Sequence, residues 1–146
     1  ASQKVGQSAA PLFLDRIDIQ CEISALPFKE LSKAAPGEPS AKIRERVIAA
    51  RALQTARFKD VPGVHCNAQM TERMIHQYAD PDEQGLDLMR LAMERLSLSA
   101  RAYSRILKVA RTIADLDASP TVRPEHISEA ITYRQLDRSD WAERGL

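Results

Sequence analysis

The sequence predicts a mainly α-helical bundle preceded by one β-strand. Apolar residues recur at helical spacing through most of the chain after residue 40, which favours helices. The composition agrees: 44% of residues are hydrophobic but only 5% aromatic, so Leu, Ile, Val, Ala and Met must build the core. Residues 17–23, in contrast, alternate strictly between apolar and polar, which predicts a half-buried strand. A lone strand cannot satisfy its own backbone, so we expect its partner strands outside this chain or in another copy.

A linker and five helices are expected after the strand. The stretch 24–40 contains Pro27, Pro36, Gly37 and Pro39, which are typical of a linker. In the third helix, Gly85 is expected to weaken the first turn by up to about 1 kcal/mol relative to alanine. The first helix is expected to run from after Ser40 to before Asp60, and the second over about Thr71–Tyr78. The third is expected to start at a cap at Asp80, with Pro81 and Glu83 in its first turn, and to run through Leu96. The fourth is expected over about Ala100–Asp117 after Ser99, and the fifth from Pro124.

Several classes of function are disfavoured by what the sequence lacks. It contains no GxxxxGK[ST], GxGxxG, GxSxG or HExxH motif, and its three histidines are far apart, so a self-contained active site is not expected. Cys21 and Cys66 form no CxxC, and His65 beside Cys66 lacks further ligands, so neither a disulfide nor a metal site is expected. With no apolar run near ~18 residues and no signal core, we expect a cytoplasmic protein without a membrane partner.

The arginines are the candidate functional residues. Arg16 stands at the start of the predicted strand, where it could pair with Asp15 or Asp18 at the surface or act as an arginine finger on a neighbour's nucleotide. Arg101, Arg105 and Lys108 fall on one face of the fourth helix, either as a solvated basic face or as a phosphate-facing edge. The net charge of +1 gives no argument for nucleic-acid binding. Weaker candidates for a nucleic-acid track are spread around the first helix: Arg44, Arg46, Arg51 and Arg57.

Four segments of the chain carry specific motifs. Residues 11–19 are PLFLDRIDI, residues 43–51 are IRERVIAAR and residues 98–116 are LSARAYSRILKVARTIADL. In that order they resemble the GPLLDRIDI segment, the IRERV-x-AAR helix and the LSARAYDRILRVARTIADL helix of magnesium-chelatase-like AAA+ ATPases of the competence type. Residues 122–130 fit the closing helix of this family, so the resemblance covers roughly Pro11 to Arg138.

The resemblance implies a division of the chain and roles for three arginines. Residues 1–10 would be a flexible start, 11–39 the end of the AAA+ core (the strand plus the linker), 40–138 the helical lid domain and 139–146 a tail. Arg16 would be the arginine finger that acts in trans on the adjacent subunit of a hexameric ring. Arg101 would be the sensor-2 arginine on the γ-phosphate of its own subunit, with Arg105 in reserve. Residues 9–14 depart from the family pattern, with no glycine before Pro11 and one extra residue, which affects the aim of Arg16.

The resemblance also implies a function for a longer parent protein. ATP and Mg²⁺ would be its cofactors, and its partners would be copies of the same subunit and DNA. Since the phosphate loop is missing from this sequence, ATP hydrolysis carries over to the parent and not to the chain alone. The leading expectation is a ring motor that drives DNA branch migration or recombination in natural transformation. The alternatives are a chelatase subunit that drives magnesium insertion into porphyrin, and a non-enzymatic helical interaction module.

Overall fold

The computed structural model describes residues 16–21, 23, 25 and 36–134. Within these ranges the chain is mainly helical, as predicted, and the five expected helices are present. A 3-10 turn, Asn67–Gln69, connects the first helix to the second. The helices are α1 (Ser40–Phe58), α2 (Glu72–Tyr78), α3 (Glu83–Leu96), α4 (Ala100–Leu116) and α5 (Pro124–Thr132).

The β-strand predicted for residues 17–23 is not confirmed. Its described residues, 17–21 and 23, have an irregular backbone, and Ile19 and Ile23 are 53% and 91% exposed instead of half-buried. The amide of Gln20 donates a 2.9 Å hydrogen bond to the carbonyl of Tyr133, in the turn after α5. A strand needs a partner strand, and the described residues provide none, so this backbone hydrogen-bonds to the helical bundle instead.

The side chain of the N-cap residue caps three of the helices. Thr71, Asp82 and Ser99 each accept a hydrogen bond from a backbone amide in the first turn of α2, α3 and α4, respectively. The predicted start of α4 after Ser99 is therefore confirmed. The predicted cap of α3 is wrong: Asp82 takes this place and not Asp80, because Pro81 is buried ahead of the helix and not within it.

Helix α4 is the centre of the bundle and packs against α1, α2, α5 and the 3-10 turn. Its apolar residues recur at helical spacing and form a buried stripe, since Ile106, Leu107, Ala110 and Ala114 are all at most 1% exposed. Burying each Ile or Leu side chain contributes about 1.5–3 kcal/mol. The short alanine side chains let neighbouring helices approach closely, so α4 is held from several sides.

Gly85 is a packing requirement of α3. A Cβ atom at this position would lie 2.7 Å from Cδ1 of Ile127 in α5 and 2.8 Å from Cβ of Pro81. Both distances are far below van der Waals contact. The expected propensity cost of this glycine is therefore outweighed by the close approach of α3 to α5 that it permits.

Helix α1 begins at Ser40, where the helical lid domain is predicted to begin, with Pro39 ahead of it and no side-chain cap. Its residues 40–49 are all exposed, and burial starts at Ala50. The predicted flexible start (1–10), the family segment 11–15 and the tail (139–146) lie outside the described residues, so the division into domains stays a prediction. Among the described helices, none has both the length and the apolar character that a membrane span requires.

Candidate functional site

A cleft of about 540 Å³ runs along one side of α4. Its floor is formed by the N-terminal half of this helix, and the opposite wall by the region between the 3-10 turn and α2. The lining residues include three cationic side chains at helical spacing, as the sequence pattern predicts, and two carboxylates. The residues are Asp18, Ala68, Glu72, Ala100, Arg101, Ser104, Arg105 and Lys108.

Arg105 binds, within this cleft, the N-terminal segment, which we define as residues 16–20. Its Nη1 donates a 2.9 Å hydrogen bond to the carbonyl oxygen of Arg16 and a 2.5 Å hydrogen bond to Oδ1 of Asp18. The Arg105 side chain is 28% exposed and that of Asp18 48%. Arg105 is therefore engaged by its own chain, in a partly hydrated ion pair.

A second arginine binds the adjacent carbonyl of the same segment. Nη1 of Arg134, which follows α5 and is 1% exposed, donates a 2.6 Å hydrogen bond to the carbonyl oxygen of Ile17. Hydrogen bonds from charged donors contribute about 1.5–3 kcal/mol when water is largely excluded. The backbone of Arg16 and Ile17 is thus fixed against the helices, whereas the side chain of Arg16 is exposed.

The other cations of the cleft differ in their surroundings. Arg101 is exposed and lies in the first turn of α4, where the amide groups of the helix end favour anions. Nζ of Lys108 donates a 3.0 Å hydrogen bond to the carbonyl of Ala68, and the hydroxyl of Ser104 donates to Glu72 at 2.8 Å. The exposed side chain of Arg101 therefore lies at the end of α4 that favours anions.

The C-terminal half of α4 contains a buried polar cluster that the sequence reasoning missed. Asp115 accepts hydrogen bonds from Arg57 of α1, at 2.5 and 2.8 Å, and from the side chain of Asn67 at 2.8 Å. Arg111 lies 3.0 Å from the same carboxylate and donates to the carbonyls of Ser119 and Pro120. The signal in the sequence was an oppositely charged pair, four residues apart, at the border of the apolar stripe of α4.

Burial raises the pKa of Asp115, but the hydrogen bonds from Arg57 and Asn67 and the nearby charge of Arg111 outweigh it. The net result is a pKa below the usual value, so this carboxylate stays ionised. The pKa of Arg111 is lowered, chiefly by burial. The cluster therefore joins α1 to α4 with charged groups and serves the fold.

Two of the weaker nucleic-acid candidates are also engaged within the chain. Arg57 belongs to the buried cluster, and Arg46 forms an ion pair with Glu38 just before α1. Arg44 and Arg51 are exposed. The basic track considered for α1 is thereby reduced to two positions about two turns apart.

The histidines and cysteines form no site within the described part of the chain. No group of three or more His, Cys, Asp or Glu residues able to hold a metal occurs there, and the two cysteines are free thiols. His126 is 3% exposed; its Nδ1 accepts from the amide of Arg123, and its Nε2 lies 3.2 Å from Asp117. His126 is thus part of the N-terminal cap of α5.

Comparisons with known proteins place this architecture in a family. Residues 37–134 match the family model described as magnesium chelatase, subunit ChlI C-terminal. The chain is 40% identical over 127 residues to the uncharacterized protein YifB of Escherichia coli, and 36% identical over 127 residues to competence protein ComM of Haemophilus influenzae. Each alignment covers 86% of this chain but 24% of the relative. The chain therefore spans about a quarter of the length of these curated relatives.

Proposed function

Because the chain belongs to the magnesium chelatase ChlI C-terminal family, we propose that it is the helical lid segment of an AAA+ ATPase that works as a ring. In this role it supplies arginines to a nucleotide held between subunits. The phosphate loop would come from a part of the longer protein outside this chain, since the sequence lacks that motif. ATP in the cytoplasm would be the substrate.

The observation that carries the proposal is the cationic cleft along α4, with the backbone of Arg16 held at its edge by Arg105. Charge develops on the phosphoryl oxygens as the β–γ bond of ATP breaks, and a guanidinium directed at them is worth about 10³–10⁵ in rate. Arg16 and Arg101 carry exposed side chains that suit this role. Arg105 instead binds Asp18 and the Arg16 carbonyl.

The geometry further supports one nucleotide for both arginines. Arg101 lies one turn before Arg105 on α4, and Arg105 contacts the backbone of Arg16. If Arg16 acts on the nucleotide of an adjacent subunit, Arg101 of the same chain is then close to that same nucleotide. We therefore propose that both act in trans, which differs from the expectation that Arg101 serves its own subunit.

The cleft fits the phosphate end of ATP but not its metal. Cationic side chains and a helix N-terminus suit an anion, whereas no metal-binding group of residues is present in the described ranges. Mg²⁺ bound to the β- and γ-phosphates neutralises part of their charge. In this proposal its ligands belong to the rest of the longer protein.

The substrate of the motor is proposed from the relatives. The similarity to a competence protein supports a motor acting on DNA, in branch migration or recombination during natural transformation. The description of the matching family supports a second candidate, a chelatase subunit that drives magnesium insertion into porphyrin. Stimulation of ATP hydrolysis by branched DNA would favour the first, and ATP-dependent metal insertion into a porphyrin the second.

The first experiment is ATP hydrolysis by the full-length protein that contains this chain. Wild type is compared with Arg16→Ala, Arg101→Ala and Arg90→Ala, the last a control on α3 whose partner is Asp87 at 2.9 Å. We expect the first two changes to lower kcat by roughly 10³-fold or more, with nucleotide binding retained by Arg16→Ala. If both variants hydrolyse ATP like the control, the proposed function is wrong.

Mixed rings distinguish action in trans from action on the same subunit. Subunits carrying Arg16→Ala and Arg101→Ala together are mixed with subunits whose phosphate loop has been disabled. If both arginines act in trans, some interfaces contain one intact loop and two intact arginines, and activity returns. If Arg101 serves its own subunit, this mixture stays inactive, whereas a mixture based on Arg16→Ala alone recovers.

A further inference from the structure

The N-terminal segment is attached to the bundle by two arginines that are distant from it in sequence. Arg105 binds the carbonyl of Arg16 and the carboxylate of Asp18, and Arg134 binds the carbonyl of Ile17. The amide of Gln20 adds a hydrogen bond to the turn after α5. We call the contact of Arg105 with Arg16 and Asp18 the Arg105 clamp.

The clamp constrains the direction in which Arg16 leaves the backbone. A peptide unit is planar, so a hydrogen bond to the carbonyl oxygen of Arg16 restricts the orientation of the plane that contains its Cα atom. The neighbouring carbonyl, of Ile17, is fixed separately by Arg134. With two consecutive carbonyls held, the remaining freedom of Arg16 lies mainly in its side-chain rotamers.

Asp18 in turn holds the guanidinium of Arg105. One Nη1 atom donates to both the carboxylate and the Arg16 carbonyl, so the ion pair keeps the donor in place for the backbone contact. Both side chains are partly exposed, which makes the pair weaker than a buried one and sensitive to salt. The clamp is therefore strong enough to orient a segment but can open.

We propose that Arg105 is a positioning residue that presents Arg16 to the nucleotide and links this presentation to helix α4. The inference rests on the proposed function, because it takes Arg16 as the arginine finger. Arg101 lies on the same helix one turn earlier. A phosphate that binds Arg101 thus contacts the helix that also holds Arg16, so that both arginines are brought to the nucleotide at the same time.

Trypsin reports on the clamp without any measurement of activity. The enzyme cleaves after Arg16, at the peptide bond whose carbonyl Arg105 holds. In the full-length protein, Arg105→Gln should increase the rate of cleavage at this bond about tenfold, as expected for the loss of a charge-assisted hydrogen bond. Arg90→Gln, which removes an exposed arginine paired with Asp87, is the matched control and should leave the rate unchanged.

ATP hydrolysis then tests the link to function. Arg105→Gln should lower kcat at least about tenfold while KM for ATP changes little, because positioning is lost and binding is not. Arg105→Lys, which keeps a donor and a charge, should recover part of kcat. Asp18→Asn removes the same ion pair without touching a helix, and it decides the question if Arg105→Gln does not fold.

The outcomes separate this inference from the proposed function. Unchanged cleavage after Arg16 in both Arg105→Gln and Asp18→Asn would overturn the clamp, whatever the kinetics are. Faster cleavage with normal kcat, while Arg16→Ala is inactive, would overturn the positioning role alone. If Arg16→Ala is fully active, the proposed function fails, and the role of Arg105 in presenting a finger fails with it, even if proteolysis shows the contact.

Discussion

Replacing Asp115 with asparagine would leave two arginines without their carboxylate in a place that water hardly reaches. The Asp115 side chain is fully buried, and those of Arg111 and Arg57 are 2% and 15% exposed. Asparagine has nearly the same shape, but its NH₂ group would face the donors of Arg57 or Asn67. At least one donor would lose its acceptor, and the charge balance of the cluster would be lost.

The expected loss of stability is large for a conservative substitution. Removing one partner of a buried ion pair costs about 3–5 kcal/mol, because the remaining charge stays buried. Domains of this kind are stable by only about 5–15 kcal/mol in total. At about 4 °C per kcal/mol, Asp115→Asn should lower Tm by roughly 12 °C or more.

Urea unfolding followed by circular dichroism measures this change in the chain itself. Asp87→Asn is the matched control, since Asp87 forms an exposed ion pair with Arg90 at 2.9 Å and loses the same charge. The reasoning is refuted if both variants unfold at the same urea concentration. That result would mean that the cluster is hydrated or that its geometry does not contribute to the folded state.

The pH dependence gives an independent check on the same residue. The folded pKa of Asp115 lies below the usual value of 3.8, so its ionised form stabilises the fold. This stabilisation is complete above the unfolded pKa and is lost as the pH falls through the folded one. The difference in stability between wild type and Asp115→Asn should accordingly be constant near neutral pH and shrink below about pH 4.

Three further predictions concern the packing and capping of α5. Gly85→Ala should lower the free energy of unfolding by about 1–3 kcal/mol, because the added Cβ overpacks against this helix. Gly37→Ala is the control and should not lower it, because a Cβ at that position has no atom within 4 Å. Thermal melts compare the two variants. His126→Leu removes the acceptor of the Arg123 amide and should cost about 1 kcal/mol, seen as faster hydrogen exchange in α5; unchanged exchange would contradict the capping role. His126 and Arg123 lower the pKa of Asp117, so the ionised carboxylate stabilises the folded state above pH 3.8 and this stabilisation is lost in acid. Asp117→Asn should therefore flatten the corresponding part of the acid unfolding curve.

The helices were predictable because their signals are local. The apolar spacing of α4, the cap at Ser99 and the proline at the start of α5 each involve residues within a few positions of one another. The start of α3 was predicted two residues too early, at Asp80. Asp82 caps the helix, and Pro81 is buried ahead of it, which is a tertiary effect that local signals do not show.

The strand could not be judged from its own residues. Alternation at residues 17–23 is compatible with a strand, but a strand also requires a neighbouring strand, and the described residues offer helices instead. Asp18, a polar residue of this alternating pattern, then binds Arg105 of α4 instead of facing solvent from a strand. A local pattern therefore indicates what a segment can form, and the partner decides what it does form.

The candidate site was predictable in part. Helical periodicity was sufficient to place Arg101, Arg105 and Lys108 on one face of α4, and the structure shows that this face lines a cleft. The contact of Arg105 with Asp18 joins residues 87 positions apart, and that of Arg134 with Ile17 joins residues 117 apart. No spacing rule covers such pairs, so the roles of Arg105 and Arg134 required the folded chain.

Helix α4 connects these findings because its two halves carry charged groups in different surroundings. In its C-terminal half, Asp115 and Arg111 are buried, and Asp115 binds Arg57 of α1, so their energy belongs to folding. In its N-terminal half, Arg101 and Arg105 are exposed or partly buried, where an ion pair adds little to stability. A half-exposed arginine that holds a backbone carbonyl at the edge of a cationic cleft is thus poorly explained by stability alone. Orientation of Arg16 accounts for it better, which is why the loss of Arg105 is expected to affect turnover more than unfolding.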